Sequence, residues 1–339
     1  MESRKKELVL FGVLIAIFLL MAILSPGRFL SSYNLQTMAF QLPEFGLIAL
    51  GMMIAILTGG INLSITSGAA LSGIIAAFIL SANQGTQTGI WLVILAAVGV
   101  ILLVSVALGT LNGAVIAYVG AAPMLVTLGS KILYEGISLW LTRGGAVSNF
   151  PEAYYWFGNA SIGPIPVPMI IFAIIAVFTY FLLERTPWGT RVYMVGSNPT
   201  AAVFSGINVK RVLLQVYIYS SVLAGLAAVI MLSRYNSAKV DLGSSYLLQS
   251  VAAVVLGGTS MAGGHGTVLG TVIAVAILQV VSSGLNILGV NRFIIEVIMG
   301  AILIAVLTVN IISARREAER RSDVVPQGRQ QDVDKSAAS

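Results

Sequence analysis

ERTPWGTRVYMVGSNPTAAVFSGINVKR, residues 184–211, is the one long charged interval between two blocks of apolar segments. It carries Arg185, Arg191, Lys210 and Arg211. Its middle predicts one short helix. Asn198 can accept a hydrogen bond from an otherwise unpaired backbone N–H, Pro199 fits the first helical position where its missing N–H costs nothing, and Gly206 stops the turn. Two turns of helix alone in water are marginal. Hung between membrane spans, such a helix reads as a surface made to be gripped by another molecule.

On either side the chain is greasy. Of its 339 residues 57% are hydrophobic and 9% charged. Apolar runs at 8–24, 38–57, 63–80, 90–119, 123–141 and 165–183 precede the interval, and runs at 212–232, 247–256, 268–288 and 293–312 follow it. About twenty apolar residues carry a helix across a bilayer core. Continuous runs rather than alternation exclude a barrel. The expectation is an all-α polytopic membrane protein of about ten transmembrane helices, some broken or re-entrant. The start, MESRKKE before the run at 8–24, is read as a retained first helix, since the run is too long for a signal peptide and SPGRF offers no small-x-small cleavage site. Residues 1–7 form an N-terminal segment, 8–313 the membrane domain with the loop 184–211 inside it, and 314–339 a charged tail disordered at its end.

The net charge of +6 is a topology signal, not a nucleic-acid one. Ten crossings put residues 1–7, the loop 184–211 and the tail on one side, and those three hold 13 of the 19 Lys and Arg. Such an excess marks the cytoplasmic side. Eight crossings keep the same sidedness if the short runs are re-entrant. Without cysteine there are no disulfides or thiolate metal sites. Gly109 and Gly113, four apart, let two helices approach closely. Tyr154, Tyr155 and Trp156 suit the headgroup level.

Two places look alike. The stretches 57–64 (LTGGINLS) and 256–260 (LGGTS) each interrupt an apolar run with paired glycines and small polar residues. One lies in each half, which is the pattern that marks a binding or translocation site in transporters; close helix crossings are the plainer reading. The stretch 264–270 (GHGTVLG) is no dinucleotide loop, because its spacing is wrong and no acid follows at the required distance. There is no G-x-x-x-x-G-K-[ST] either, so if ATP drives this protein another subunit binds it. His265 is the only histidine; it makes no metal site and reads as a loop residue. Lys131 with Glu135, and Arg292 with Glu296, are spaced to pair on helix faces, the first as a structural pair in the bundle interior. With those acids paired, a proton-driven carrier is disfavoured, and no catalytic constellation supports an enzyme. Asn62, Ser64, Asn112, Thr127, Gln249, Gln279 and Asn286 are neutral polar groups within spans. One by one they read as interhelical hydrogen bonds; as a set they suit an uncharged polar cargo.

At this point the residues carry a family. The stretch LTGGINLSITSGAALSG (57–73) resembles the GGIDLSVGS block of permeases of carbohydrate ABC importers, the ribose-type group related to branched-chain amino-acid permeases. NGAVIAYVGAAPMLVTLGS (112–130) is similar to their NG…P-x-x-VTLG block, and GTRVYMVGSNPTAAVFSGINVKRV (189–212) to their cytoplasmic loop G-x-N-P-x-A-A-x-x-S-G-I. The stretch 251–290 resembles their C-terminal block. The likeness covers about 45–310 without large gaps. SAKVDLGSSYLL and GPIPVPMIIF are most similar to one subunit of the two-permease autoinducer-2 importer, with rhamnose-type permeases also similar there. Departures are Asn62 where the family has an acid, Leu248-Gln249-Ser250 where many members have L-D-A, and Glu135 in place of an arginine.

The resemblance implies an ABC importer permease fold and one permease subunit without ATPase activity. Its implied partners are a cytoplasmic ATPase that binds the ATP, a second permease (identical or homologous) and a periplasmic binding protein, all at a bacterial inner membrane with both termini cytoplasmic. It implies that Asn198, Pro199, Ala201, Ala202, Phe204, Ser205 and Gly206 couple to the ATPase, with Phe204 as anchor; from the neutral polar set, Asn62, Ser64, Asn112, Thr127 and Gln249 are expected to line the cargo path. Sugar is favoured over a branched-chain amino acid; no cofactor or metal is expected on this chain.

Overall fold

The computed structural model describes residues 2–85 and 89–323. Among them the chain is helical apart from two short antiparallel strand pairs. The first block holds α1 (Glu2–Leu24), the single turn α2 (Pro26–Phe29), α3 (Ser32–Leu57), α4 (Ile65–Ala82), α5 (Ile90–Ala114) and α6 (Pro123–Thr142). A π-helical turn, Val115–Val119, extends α5. Next come β1 (Val147–Ser148), a 3-10 turn (Glu152–Tyr155), α7 (Trp156–Asn159), β2 (Ser161–Ile162), β3 (Ile165–Pro166) and α8 (Val167–Arg185). The central interval folds as α9 (Pro187–Ser197) and α10 (Pro199–Phe204). The second block is α11 (Val209–Tyr235), β4 (Ser237–Ala238), α12 (Tyr246–Leu256), α13 (Val268–Ile287) and α14 (Arg292–Asp323).

Seven described helices are long and apolar enough to span: α1, α3, α4, α5 with its π-turn, α8, α11 and α13. Of the other three expected runs, α6 has the length but carries Lys131 and Glu135, and α14, 32 residues long, is apolar and uncharged in sequence from 297 to 309. Helix α12, at 11 residues, rises only about 16 Å. All ten expected runs are helices.

Burial follows composition. Helix α3, apolar all round there except for Glu44, is enclosed from Pro43 to Leu57, because α8, α11, α12 and α13 surround it. Helix α1 lies at the rim against α13, and Leu8, Phe11, Leu19 and Ile23 face outward. So do Leu92, Leu95 and Leu103 of α5 and Ile174, Phe178 and Phe181 of α8. Such a continuous apolar exterior is a lipid-facing surface. Inside, α11 runs against α5, α4 and α3. Gly109 and Gly113 allow that approach as expected: a Cβ on Gly109 would sit 2.7 Å from the Tyr217 carbonyl oxygen, and one on Gly113 would sit 3.0 Å from the Leu214 Cα.

Three readings need correction. The interval 184–211 holds two helices, not one, because Thr186 and Pro187 repeat the N-cap and first-position chemistry of Asn198 and Pro199; Thr186 accepts from the Gly189 amide at 3.4 Å. Tyr154 is buried at 1% exposure rather than lying at a headgroup surface, and its hydroxyl donates to the Val229 carbonyl at 3.2 Å. Lys131 and Glu135 do pair, at 3.6 Å, but about a third of each side chain is accessible, so the pair is not interior. The tail is a separate matter: residues 314–323 continue α14 as helix, and its end, 324–339, where disorder is expected, lies outside the described residues.

The Gly109 contact generates a stability test. Gly109→Val forces α5 off α11, and overpacking of this kind costs about 1–3 kcal/mol. A thermal melt of the detergent-purified chain should move down by several degrees, while Gly99→Val, which faces open space, should leave it unchanged.

Candidate functional site

The candidate in the charged interval is built by capping. Asn198 accepts from the Ala201 amide at 3.0 Å and Pro199 opens α10, while the Ser205 hydroxyl donates to the Ala201 carbonyl at 3.0 Å. Gly206 then takes φ +77°, a left-handed turn that suits glycine, and Asn208 caps α11 by accepting from the Arg211 amide at 3.0 Å. Ala202 is the inward side of this turn; Val203 and Phe204 point away, Phe204 at 88% exposure. The six-residue helix therefore presents one aromatic, unsupported, at its outer face.

Helix α9 connects that knob to the interior. Its Val192 and Val195 are buried, Trp188 donates to Gln215 of α11 at 2.9 Å, and the Tyr193 hydroxyl donates to the Gly266 carbonyl at 2.9 Å. Burial first, and the nearby Glu184 second, push the Tyr193 hydroxyl above the usual phenol range, so it keeps its proton and remains a donor. At the end of α9 the two glycine-broken stretches meet. The Gly264 amide donates to the Leu57 carbonyl at 2.9 Å. A Cβ on Gly263 would lie 2.7 Å from the Gly59 nitrogen and 2.8 Å from the Gly196 oxygen, and a Cβ on Gly196 would strike the Leu57 oxygen. Three backbones thus touch where only hydrogens fit between them. His265 lies in this loop, exposed, as expected.

Four of the five expected path residues come together. The Asn62 amide donates to Ser220 at 3.0 Å and its carbonyl accepts from Ser64 at 2.9 Å. Asn112 donates to the Ser64 oxygen at 2.8 Å and accepts from Ser130 at 2.5 Å and Tyr134 at 3.3 Å. The Thr127 hydroxyl is shared between the Ile61 and Pro123 carbonyls at 2.8 and 2.9 Å. All four are buried, and their polar atoms bond to one another, to these neighbours and to backbone. The network ties the broken stretch 58–64 to α5, α6 and α11; cargo reaches these groups only if the network parts. Gln249 lies elsewhere, on a cavity wall. Gln279 donates to Gln41 at 2.9 Å, and Asn286 is exposed.

One constellation was not found by sequence reasoning. Glu44, fully buried on α3, accepts from Arg234 of α11 at 3.1 Å and from the hydroxyls of Tyr246 and Tyr235 at 3.2 and 3.4 Å. A buried carboxylate needs such a partner, because removing it from water is expensive. No periodicity links residues 190 apart. The available signal was the acid itself: Glu44 is the one charged residue in a run otherwise apolar enough to span.

Two open cavities lie at the bundle end away from α10, where α11 finishes. One, of about 680 Å³, is lined by Gln249, Tyr246, Arg292 and Glu296. The other, of about 720 Å³, reaches Thr66 and Ser67 at the start of α4 and Glu135 on α6. Lys239, Asp241, Leu242 and Ser244 line both, so the strap after β4 divides them. These volumes suit a small polar molecule. Among the described residues no cluster of His, Cys, Asp and Glu could hold a metal.

Comparison with known proteins gives a consistent result. A family profile described as "Branched-chain amino acid transport system / permease component" matches residues 34–307. The ribose import permease protein RbsC of Bacillus subtilis (strain 168) is 39% identical over 306 residues, 87% of this chain and 89% of that protein. The D-allose transport system permease protein AlsC of Escherichia coli (strain K12) is 35% identical, with 89% of each covered. The autoinducer 2 import system permease protein LsrD of Klebsiella pneumoniae is 33% identical over 92% of this chain and 93% of that protein. No solved structure matches the chain.

The Glu44 cluster yields a signed prediction. Glu44→Ala leaves Arg234 facing the interior without its countercharge, a loss of about 3–5 kcal/mol for a broken buried pair. Glu44→Met combined with Arg234→Met removes both charges and should regain most of it. Melting temperatures of the single and double variants in one detergent decide the point; equal losses would assign the effect to packing alone.

Proposed function

The chain belongs to the family of permease components of branched-chain amino acid-type transport systems, and on that premise we propose that it is the membrane-spanning subunit of an ATP-driven importer, moving a simple sugar or sugar-like solute by alternating access. The observation that carries the coupling is Phe204, 88% exposed on a helix capped at both ends and joined through α9 to both broken stretches. An exposed aromatic on a rigid turn is the kind of anchor that fills a partner's pocket. In this reading Asn198, Pro199, Ala201, Ala202, Phe204, Ser205 and Gly206 form the element that docks in a cytoplasmic ATPase, which binds the ATP. The glycine junction then carries movement of α9 to the start of α4 and the start of α13 without a flexible link.

Relatives named for ribose, D-allose and autoinducer 2 support a sugar-like cargo. The branched-chain amino-acid alternative draws on the family description alone. An ion-coupled carrier is the weaker reading, since Glu44, Glu135 and Glu296 each have a cationic partner. The remaining partners are a second permease, the same or homologous, and a periplasmic binding protein. Their setting is a bacterial inner membrane with both termini cytoplasmic, as the concentration of 13 of the 19 basic residues on that side supports. Asn62, Ser64, Asn112 and Thr127 close the path in the state described, and Gln249 faces its outer end. A ligand moves the inward–outward balance only by binding one state better, so the site itself can be weak.

Phe204→Asp tests the docking. The variant should still insert and assemble with its partner permease, yet lose stimulation of the ATPase and lose transport in proteoliposomes. Unchanged transport together with unchanged ATPase stimulation overturns the reading.

A further inference from the structure

The cavity beneath the strap has a floor that no neighbour occupies. Thr66 is 97% buried, counting from its 3% exposure, and lines this cavity of about 720 Å³. Its hydroxyl has no hydrogen-bond partner among the described residues, and it is not one of the sealed, unpartnered buried atoms, so its oxygen opens onto the cavity. It stands in the first turn of an 18-residue helix whose N-cap residue, Ser64, makes no side-chain cap. The first amide of that helix, on Ile65, donates to the Asn62 carbonyl at 3.4 Å. Ser67, beside Thr66, turns its hydroxyl to the Ser64 carbonyl at 3.1 Å and so leaves Thr66 as the open hydroxyl of the floor.

The walls decide what fits. A helix N-terminus alone favours an anion. Here Glu135 and Asp241 also line the cavity. Lys131 neutralises Glu135 in part, at 3.6 Å, and Lys239 lies on the same strap as Asp241. The local charges cancel, which disfavours an anion, and the groups left over are complementary: a hydroxyl at the floor, carboxylate acceptors on the walls. Vicinal hydroxyls satisfy that arrangement, donating to a carboxylate while accepting from the threonine. A phosphate ester would bring two negative charges against two carboxylates.

We propose that this cavity is the chain's outer cargo site, with Thr66, Glu135 and Asp241 contacting an uncharged polyhydroxylated solute and rejecting its phosphorylated form. It rests on the reading of the chain as a sugar permease, and it adds where the sugar is held. Directly below Thr66 lies the hydrogen-bonded chain through Ser64, Asn62 and Asn112, so the site ends at the closed part of the path.

The absence of cysteine gives a direct test. Thr66→Cys and, as control, Gln84→Cys on the exposed turn after α4 are made in the full chain and assembled with its partners. Each is treated with a membrane-impermeant maleimide from the outer side. Thr66→Cys should label, and millimolar D-ribose, D-allose or L-rhamnose should slow that labelling while ribose 5-phosphate does not; Gln84→Cys should label at one rate throughout. Adding Glu135→Gln should raise the half-protecting sugar concentration about tenfold, the value of one hydrogen bond to a charged group. Labelling of Gln84→Cys without labelling of Thr66→Cys, protection by none of the three sugars, or equal protection by the phosphate ester overturns the proposal. Because the readout is protection and not transport, a failed site is distinguishable from a failed permease: loss of coupling in Phe204→Asp stands or falls separately.

Discussion

A helix broken inside a bilayer leaves amides and carbonyls with no water to bond, and each unpaired group there costs several kcal/mol. This chain breaks two of its helices, at 58–64 and 257–267, and the rest of the structure is arranged around satisfying those breaks. The Gly264 amide serves the Leu57 carbonyl, the Ser260 amide serves the His265 carbonyl, Thr127 serves Ile61 and Tyr193 serves Gly266. Each break thus needs the other, and both need α6 and α9. Glycine at 196, 263 and 264 follows from that closeness and not from a demand for flexibility.

The same constraint separates the two ends of the molecule. At the α9–α10 end the capping groups are consumed by backbone, and a hydrophobic knob stands out among exposed Arg191, Lys210 and Arg211. At the opposite end the strap 239–244 leaves room, and charged and hydroxyl side chains line it. A closed end and an open, polar-lined end are what a carrier needs if force enters on one side and cargo on the other. The buried polar network between them marks the division.

Much of the fold was legible because it rests on local rules. Run length located the helices, Asn198, Pro199 and Gly206 bounded α10, and the spacing of Gly109 and Gly113 foretold the α5–α11 contact. The helix α9 was missed although Thr186-Pro187 obeys the rule applied at Asn198-Pro199; its sparse apolar face did not register beside membrane-length runs. The likeness of the two glycine stretches was visible, but not that they touch, since contact between residues some 200 positions apart depends on how the helices pack. The candidate path divided along the same line. Asn62, Ser64, Asn112 and Thr127 share the region of one break, whereas Gln249 belongs to α12 and a different cavity. Glu44 with Arg234 was invisible for the same reason: pairing across α3 and α11 has no signature along the chain.

That pair also sets a clock. Glu44 is made 190 residues before Arg234. At synthesis rates of about 5–20 residues per second, roughly 10–40 s pass between the two. At the start of that time α3 holds an acid in a segment that ends up enclosed by α8, α11, α12 and α13, none of which yet exists, and α12 and α13 are still missing when Arg234 is made. The second helix of the nascent chain therefore enters the bilayer without its countercharge and must be sheltered, at the insertion machinery or near the interface, until the other half arrives. The order of translation makes the first half dependent on the second, so a chain truncated before Arg234 lacks more than its missing helices: it lacks what lets α3 settle.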